Sequence, residues 1–108
     1  MKILVLLFFL TGINWLSADD AMRMAAQRAI PLIEKSAVIY TQERDCFSCH
    51  HQALTVMTLG RAKLAGLSVR DDTISAQTKF TLEYFDDRKD RLPKGEGVPG
   101  GSYSAGYA

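Results

Sequence analysis

Between Lys2 and Asp19 the chain is apolar almost without interruption from Ile3 to Leu16 and closes on Ser17 and Ala18, and this run settles how much sequence remains to build a domain. One basic residue, an apolar core of roughly 12 residues and a small residue ahead of Asp19 and Asp20 form the pattern of a secretory signal peptide. The run falls short of the ~20 residues that a spanning helix needs. Cleavage after Ala18 is expected, with the body exported to the periplasm or beyond, and a membrane is involved only if the segment stays uncleaved. Removing residues 1–18 leaves about 90 residues, a size at which an apolar core alone gives marginal stability and a staple is needed.

The charge balance excludes one class of partner. Of 13 basic side chains only Lys2 lies in the leader, so twelve remain against twelve acids. A neutral body with its Lys and Arg interleaved among Asp and Glu has no steering field and no basic stripe, so nucleic acid is not expected as a partner.

Periodicity and punctuation predict an all-α fold of about four short helices with no sheet over residues 19–92. Residues 19–30, DDAMRMAAQRAI, combine good helix formers with two acids placed to favour the helix dipole. Pro31 then breaks that helix or opens a second one over 32–42. In this second helix Leu32, Ile33, Ala37 and Tyr40 form the buried face, and Glu34 and Lys35 point outward. A third helix runs over 52–64, with Leu54, Met57 or Thr58, Arg61 and Leu64 marking its turns and Gly66 stopping it. Asp71 and Asp72 offer N-caps to a fourth, whose apolar face is Ile74, Thr78, Thr81, Leu82 and Phe85, ending at Arg91 and Pro93. Residues 93–108 hold five of the eight glycines and two of the three prolines, a composition that reads as a linker, cut short at the start of a further domain.

The chemistry sits in Asp45-Cys46-Phe47-Ser48-Cys49-His50-His51. It contains C-x-x-C-H once, the pattern of covalent c-type haem attachment. On a helical turn two intervening residues bring both sulfurs to one side, where each adds to a porphyrin vinyl group, while the next residue offers an imidazole to the iron. Cys46 and Cys49 are therefore the expected anchors of one haem c per chain, with His50 as axial iron ligand. Export agrees with this, because both features place the chain in the same compartment. By chance such a match arises in on the order of one chain in a thousand of this length.

Two alternatives stand beside haem. A Cys46–Cys49 disulfide suits an oxidising compartment and a thioredoxin-like redox site, although no alternating strand pattern surrounds the motif. Zinc held by Cys46, Cys49, His50 and His51 would need adjacent histidines to converge on one ion, although helical neighbours point about 100 degrees apart. For the sixth position on the iron the candidates are Met57 and Met24, with Met22 and His51 behind them, and packing explains each methionine better than ligation does. A missing sixth ligand favours sensing over fast electron transfer. Arg44, Arg61 and Lys63 are near enough in sequence to meet haem propionates, or are simply solvated. Asp45 reads as the cap of the turn that follows, and Asp71-Asp72 and Asp86-Asp87 as a cap and a solvated face.

The stretch from Ile30 to Ala108 resembles a group of exported bacterial proteins in which a C-x-x-C-H-H segment precedes helical repeats similar to squalene and terpene cyclases. IPLIEKSA, CFSCHHQAL and GGSYSAGYA carry the likeness. It implies a cytochrome c-like front, which is this chain, and a squalene cyclase-like toroid behind it. Cyclase activity does not carry over, because the D-x-D-D-type acidic segment of that superfamily is absent from these residues. The attachment residues do, since Cys46, Cys49 and His50 stand at the motif's own positions. Unlike mitochondrial-type cytochromes c, the chain has no later methionine in a loop. The expected role is electron transfer with an unidentified redox partner protein, or haem-based sensing. The alternative is a disulfide- or zinc-stapled helical interaction module ahead of the repeat domain.

Overall fold

A computed structural model describes residues 18–99 and 101–108, so the signal peptide expected over 1–18 lies, but for Ala18, outside the described residues. What is described is all-α: α1 (Ala18–Glu43), α2 (Leu54–Leu64), α3 (Asp71–Asp86) and a short α4 (Gly101–Tyr107), with a π-turn at Cys49–Ala53 and a 3-10 turn at Leu92–Lys94. There is no strand among the described residues, as expected. No described helix is long and apolar enough to cross a membrane.

The expected break at Pro31 does not occur. α1 runs through it for 26 residues, although an interior proline removes a backbone hydrogen bond and costs about 3 kcal/mol. Both flanks are tied to the rest of the molecule, which offsets that cost. On the N-terminal side Gln27 clamps Ser68 twice, donating to its carbonyl at 3.0 Å and accepting from its N–H at 2.8 Å, and Arg23 donates to the Ala65 carbonyl at 3.0 Å. On the C-terminal side Glu34 and Ala37 are buried. Glu34, expected to face outward, accepts the Arg70 N–H at 2.8 Å, because the start of α3 needs an acceptor for its exposed donors.

That contact replaces the expected Asp caps. Arg70 is the cap residue of α3 and uses no side-chain cap; Asp71 and Asp72 lie inside the first turn, where Lys63 and Arg70 pair with them. Asp45 likewise gives way to Ser48 as the cap of the π-turn. Gly66 does end α2: at φ 76° it accompanies bonds from Leu67 N to Ala62 O at 3.0 Å and from Gly66 N to Lys63 O at 2.9 Å, the two closures of a Schellman motif.

The helices turn unexpected faces inward. In α2 the buried residues are Thr55 and Leu59, whereas Leu54, Met57 and Leu64 are exposed. In α3 they are Thr73, Gln77, Thr81 and Tyr84, whereas Thr78 and Leu82 are exposed and Ile74 and Phe85 only half-buried. A buried polar pair explains the rotation: Gln52 and Gln77 are almost fully enclosed, and the Gln52 side-chain amide donates to Gln77 Oε1 at 3.2 Å. Satisfying these amides against each other fixes the roll of both helices.

The apolar cluster nearest the motif is Phe47, Ala53, Tyr84 and Val98, with Cys46, Cys49 and Phe85 packed against it. Phe47 and Phe85 meet edge-to-face at 5.2 Å, as do Tyr84 and Phe85 at 5.3 Å, the arrangement that ring quadrupoles favour. Arg88 lies 3.7 Å above the Tyr84 ring, a cation–π contact. Val98 comes from the segment read as a linker, so part of 93–108 folds back onto the domain.

Candidate functional site

The motif is presented by the break between α1 and α2. The chain leaves α1 at Glu43, passes Phe47 into the aromatic cluster and enters the π-turn, where Leu54 N–H bonds Cys49 O with one residue more per turn than an α-helix. Ser48 caps it, its Oγ accepting from His51 N at 3.4 Å. In return Gln52 Oε1 accepts from Ser48 N at 2.7 Å. This is a capping box widened by one residue, because the wider π-turn moves the returning side chain from the third position after the cap to the fourth.

Both cysteines are free thiols and half-buried. The Cys46 sulfur lies 3.1 Å from the Tyr40 hydroxyl, and the Cys49 sulfur 3.4 Å from His50 Nδ1. His50 is exposed. His51 stacks on Tyr40 with centroids 4.2 Å apart and planes 12° from parallel, and its Nδ1 sits 3.1 Å from Ser48 Oγ. The hydrogen bond with Cys46 and partial burial hold the Tyr40 phenol above its ordinary value.

His50 and His51 border a groove along α1. One depression of about 410 Å3 is lined by Leu32, Lys35, Ser36, Ile39, Tyr40, Glu43, Arg44 and His51. A neighbouring one of about 300 Å3 adds Ile33, His50 and Thr55 and shares Leu32, Ser36 and His51. Volumes of this order hold small ligands.

The donor set, two free thiols with an imidazole directly after the second and an apolar surround, suits a covalently held porphyrin, but the expected single helical turn does not form: Cys46 lies in a bend ahead of the extended Ser48, and only Cys49 and His50 are on the π-turn. Cys49 and His50 are in contact, whereas Cys46 is held by Tyr40. The candidates for the second iron ligand are elsewhere. Met57 lines a separate depression between α2 and α3, with Val56, Thr78 and Leu82. Met24, half exposed, lies two turns before Leu32 on α1, about 12 Å along its axis. Met22 is more exposed still and lies further along. Among the described residues no three His, Cys, Asp or Glu side chains gather as metal ligands. Lys63 is paired with Asp71, whereas Arg44 lines the groove.

No family model, curated protein or solved structure matches the chain. The site is therefore judged on its own geometry. Sequence reasoning missed Tyr40 and Ser48 as partners of the motif, and Gln52 and Gln77 as the pair behind it. The pattern Ser48-x-x-x-Gln52 was the available signal, hidden because a capping box is ordinarily one residue shorter.

Proposed function

We propose that this chain is an exported c-type haem protein, carrying one haem c through Cys46 and Cys49 with His50 as the axial iron ligand. The observation that carries the proposal is that both thiols are free and that each sulfur lies beside a groove residue, Cys46 by Tyr40 and Cys49 by His50. In attachment each S–H adds across a vinyl double bond, sulfur bonding one carbon and hydrogen the other, so nothing is displaced. Bound haem supplies a one-electron couple and a site for diatomic ligands. The chain's own residues orient it: Ser48 and Gln52 fix the turn that presents His50, and Tyr40 holds the Cys46 side chain.

With Met57 and Met24 both away from His50, an iron open on its second face, and hence sensing of a small ligand, is the favoured role over electron shuttling to a redox partner. A squalene cyclase-like repeat domain behind this front belongs to the same proposal and rests on the resemblance alone.

The test is an absorption spectrum and intact mass of the chain made with a c-type maturation system, beside Cys46→Ala/Cys49→Ala. The expected result is a Soret band and one haem mass that survive denaturation and vanish in the double variant. Colourless protein showing only the loss of two protons, or bound zinc, would replace haem by the stapled interaction module.

A further inference from the structure

Two large aliphatic side chains on α1 have no partner that explains them: Leu32 is 70% exposed and Ile39 45% exposed. They flank the groove that His51 borders, and Leu32 also borders the depression that holds His50. Leaving such surface in water is unfavourable by roughly 25 cal/mol for each Å2. The same groove holds Lys35 and Arg44, neither of which has an ion pair among the described residues, against one acid, Glu43. An apolar floor with two unpaired cations and a single carboxylate at the rim suits a flat apolar body bearing carboxylates.

The attachment atoms point to the same place. The Cys46 sulfur touches Tyr40, a wall of the groove, and the Cys49 sulfur touches His50, a wall of its extension. A ring joined to both sulfurs through a single carbon each, and bound to His50, is confined to within a few ångströms of all three. No cysteine lines the groove or the Met57–Leu82 depression, but the latter, also apolar, lacks both residues that touch the sulfurs, Tyr40 and His50.

Resting on the haem proposal, we propose that the porphyrin lies in the α1 groove, its apolar body over Leu32 and Ile39 and its propionates facing Lys35 and Arg44. α1 is then the wall of the cofactor site as well as the scaffold of the fold.

The experiment is side-chain footprinting with photolytic hydroxyl radicals on two samples, the holo chain and the same chain made without haem attachment, with intact mass recorded on each. Oxidation of Leu32 and Ile39 is expected to fall several-fold in the holo sample, with Met57 and Leu82 unchanged as internal standards. Haem mass present but no protection of Leu32 and Ile39 overturns the groove and leaves haem attachment standing, whereas absence of haem mass overturns both. A second comparison sets Leu32→Glu against Leu82→Glu, two exposed positions where the fold tolerates a charge. Only Leu32→Glu is expected to shift the Soret band, and equal spectra overturn the placement. If Leu32 and Ile39 are already protected without haem, and that chain sediments as a dimer, the face is an interface between copies and the proposal fails.

Discussion

The Tyr40 hydroxyl lies 3.1 Å from the Cys46 sulfur, so the two thiols of one short motif have different surroundings: Cys46 is engaged by a phenol of α1 and Cys49 by its neighbour His50. In the haem-free chain the hydrogen bond donated by the phenol is expected to set the reactivity of Cys46 apart from that of Cys49. Tyr40→Phe keeps the ring that stacks on His51 and removes only the hydroxyl. It should lower the Cys46 rate relative to that of Cys49, by at most about fivefold, the factor that one hydrogen bond of about 1 kcal/mol represents. Peptide mapping after timed iodoacetamide treatment measures this, and unchanged relative rates would show that the contact does not govern the thiol.

The same contact links stability to alkaline pH. The bond with Cys46, and then burial, raise the Tyr40 phenol above its ordinary value, which is about 10 in an unfolded chain. The folded state thus holds this proton more tightly. Its contribution is complete below about pH 10 and disappears as pH rises through the folded value. Denaturant midpoints taken across that range should decline less steeply for Tyr40→Phe than for the parent, and parallel curves would refute the linkage.

Behind the motif, Gln52 joins two elements by bonding Ser48 N at 2.7 Å and Gln77 Oε1 at 3.2 Å. Gln52→Met keeps the length of the side chain and leaves the Ser48 N–H and the Gln77 amide without partners, at an expected cost of about 1–3 kcal/mol. Gln77→Met should cost a similar amount. The double variant should lose less than the two losses combined, because each single change already breaks the shared bond. Urea unfolding of the four proteins supplies the cycle, and strict additivity would mean that the amides act independently.

These two glutamines also explain which parts of the fold were legible in the sequence. The helix over 52–64 and the one from Asp71 announce themselves through Gly66, Asp71 and their helix formers, and the structure contains both, the first beginning at Leu54 and the second ending at Asp86, short of the expected Arg91. Their inward faces do not announce themselves, because apolar periodicity places Leu54, Met57 and Leu82 inside, whereas the core takes Gln52, Thr55, Thr73 and Gln77. Once a buried amide pair must be satisfied, it outweighs the burial of one or two exposed aliphatics. The motif's residues are legible in the sequence, but its shape is not, since the π-turn begins at Cys49 and leaves Cys46 in the bend before it. Its partners are not legible either, since Tyr40 meets Cys46 across the turn that follows Glu43, a geometry that helical spacing does not give.

Pro31 provides a direct test of how that helix is held. Its ring removes one hydrogen bond from the middle of α1, and the clamps at Gln27–Ser68 and Glu34–Arg70 hold the flanks in register. Pro31→Ala restores the donor without changing any buried side chain, since Pro31 is exposed. A gain of about 1–3 kcal/mol is expected, and calorimetry reads it as a higher thermal midpoint. A loss would mean that the proline sets a bend on which the clamps depend.

The positions of Met57 and Met24 lead to the most direct functional prediction. Met57 faces the α2–α3 depression, which His50 does not line, and Met24 lies about 12 Å along α1 from Leu32. Neither reaches a ring bound to His50 unless a helix moves. In the holo protein Met57→Leu and Met24→Leu should therefore leave the Soret and visible bands of both oxidation states unchanged. The reduced protein should bind carbon monoxide without a slow step, because no protein ligand has to leave the iron first. A change of spectrum in either variant would identify that methionine as a ligand and move the role from sensing towards electron transfer, since a saturated iron favours fast exchange of electrons over capture of a gas.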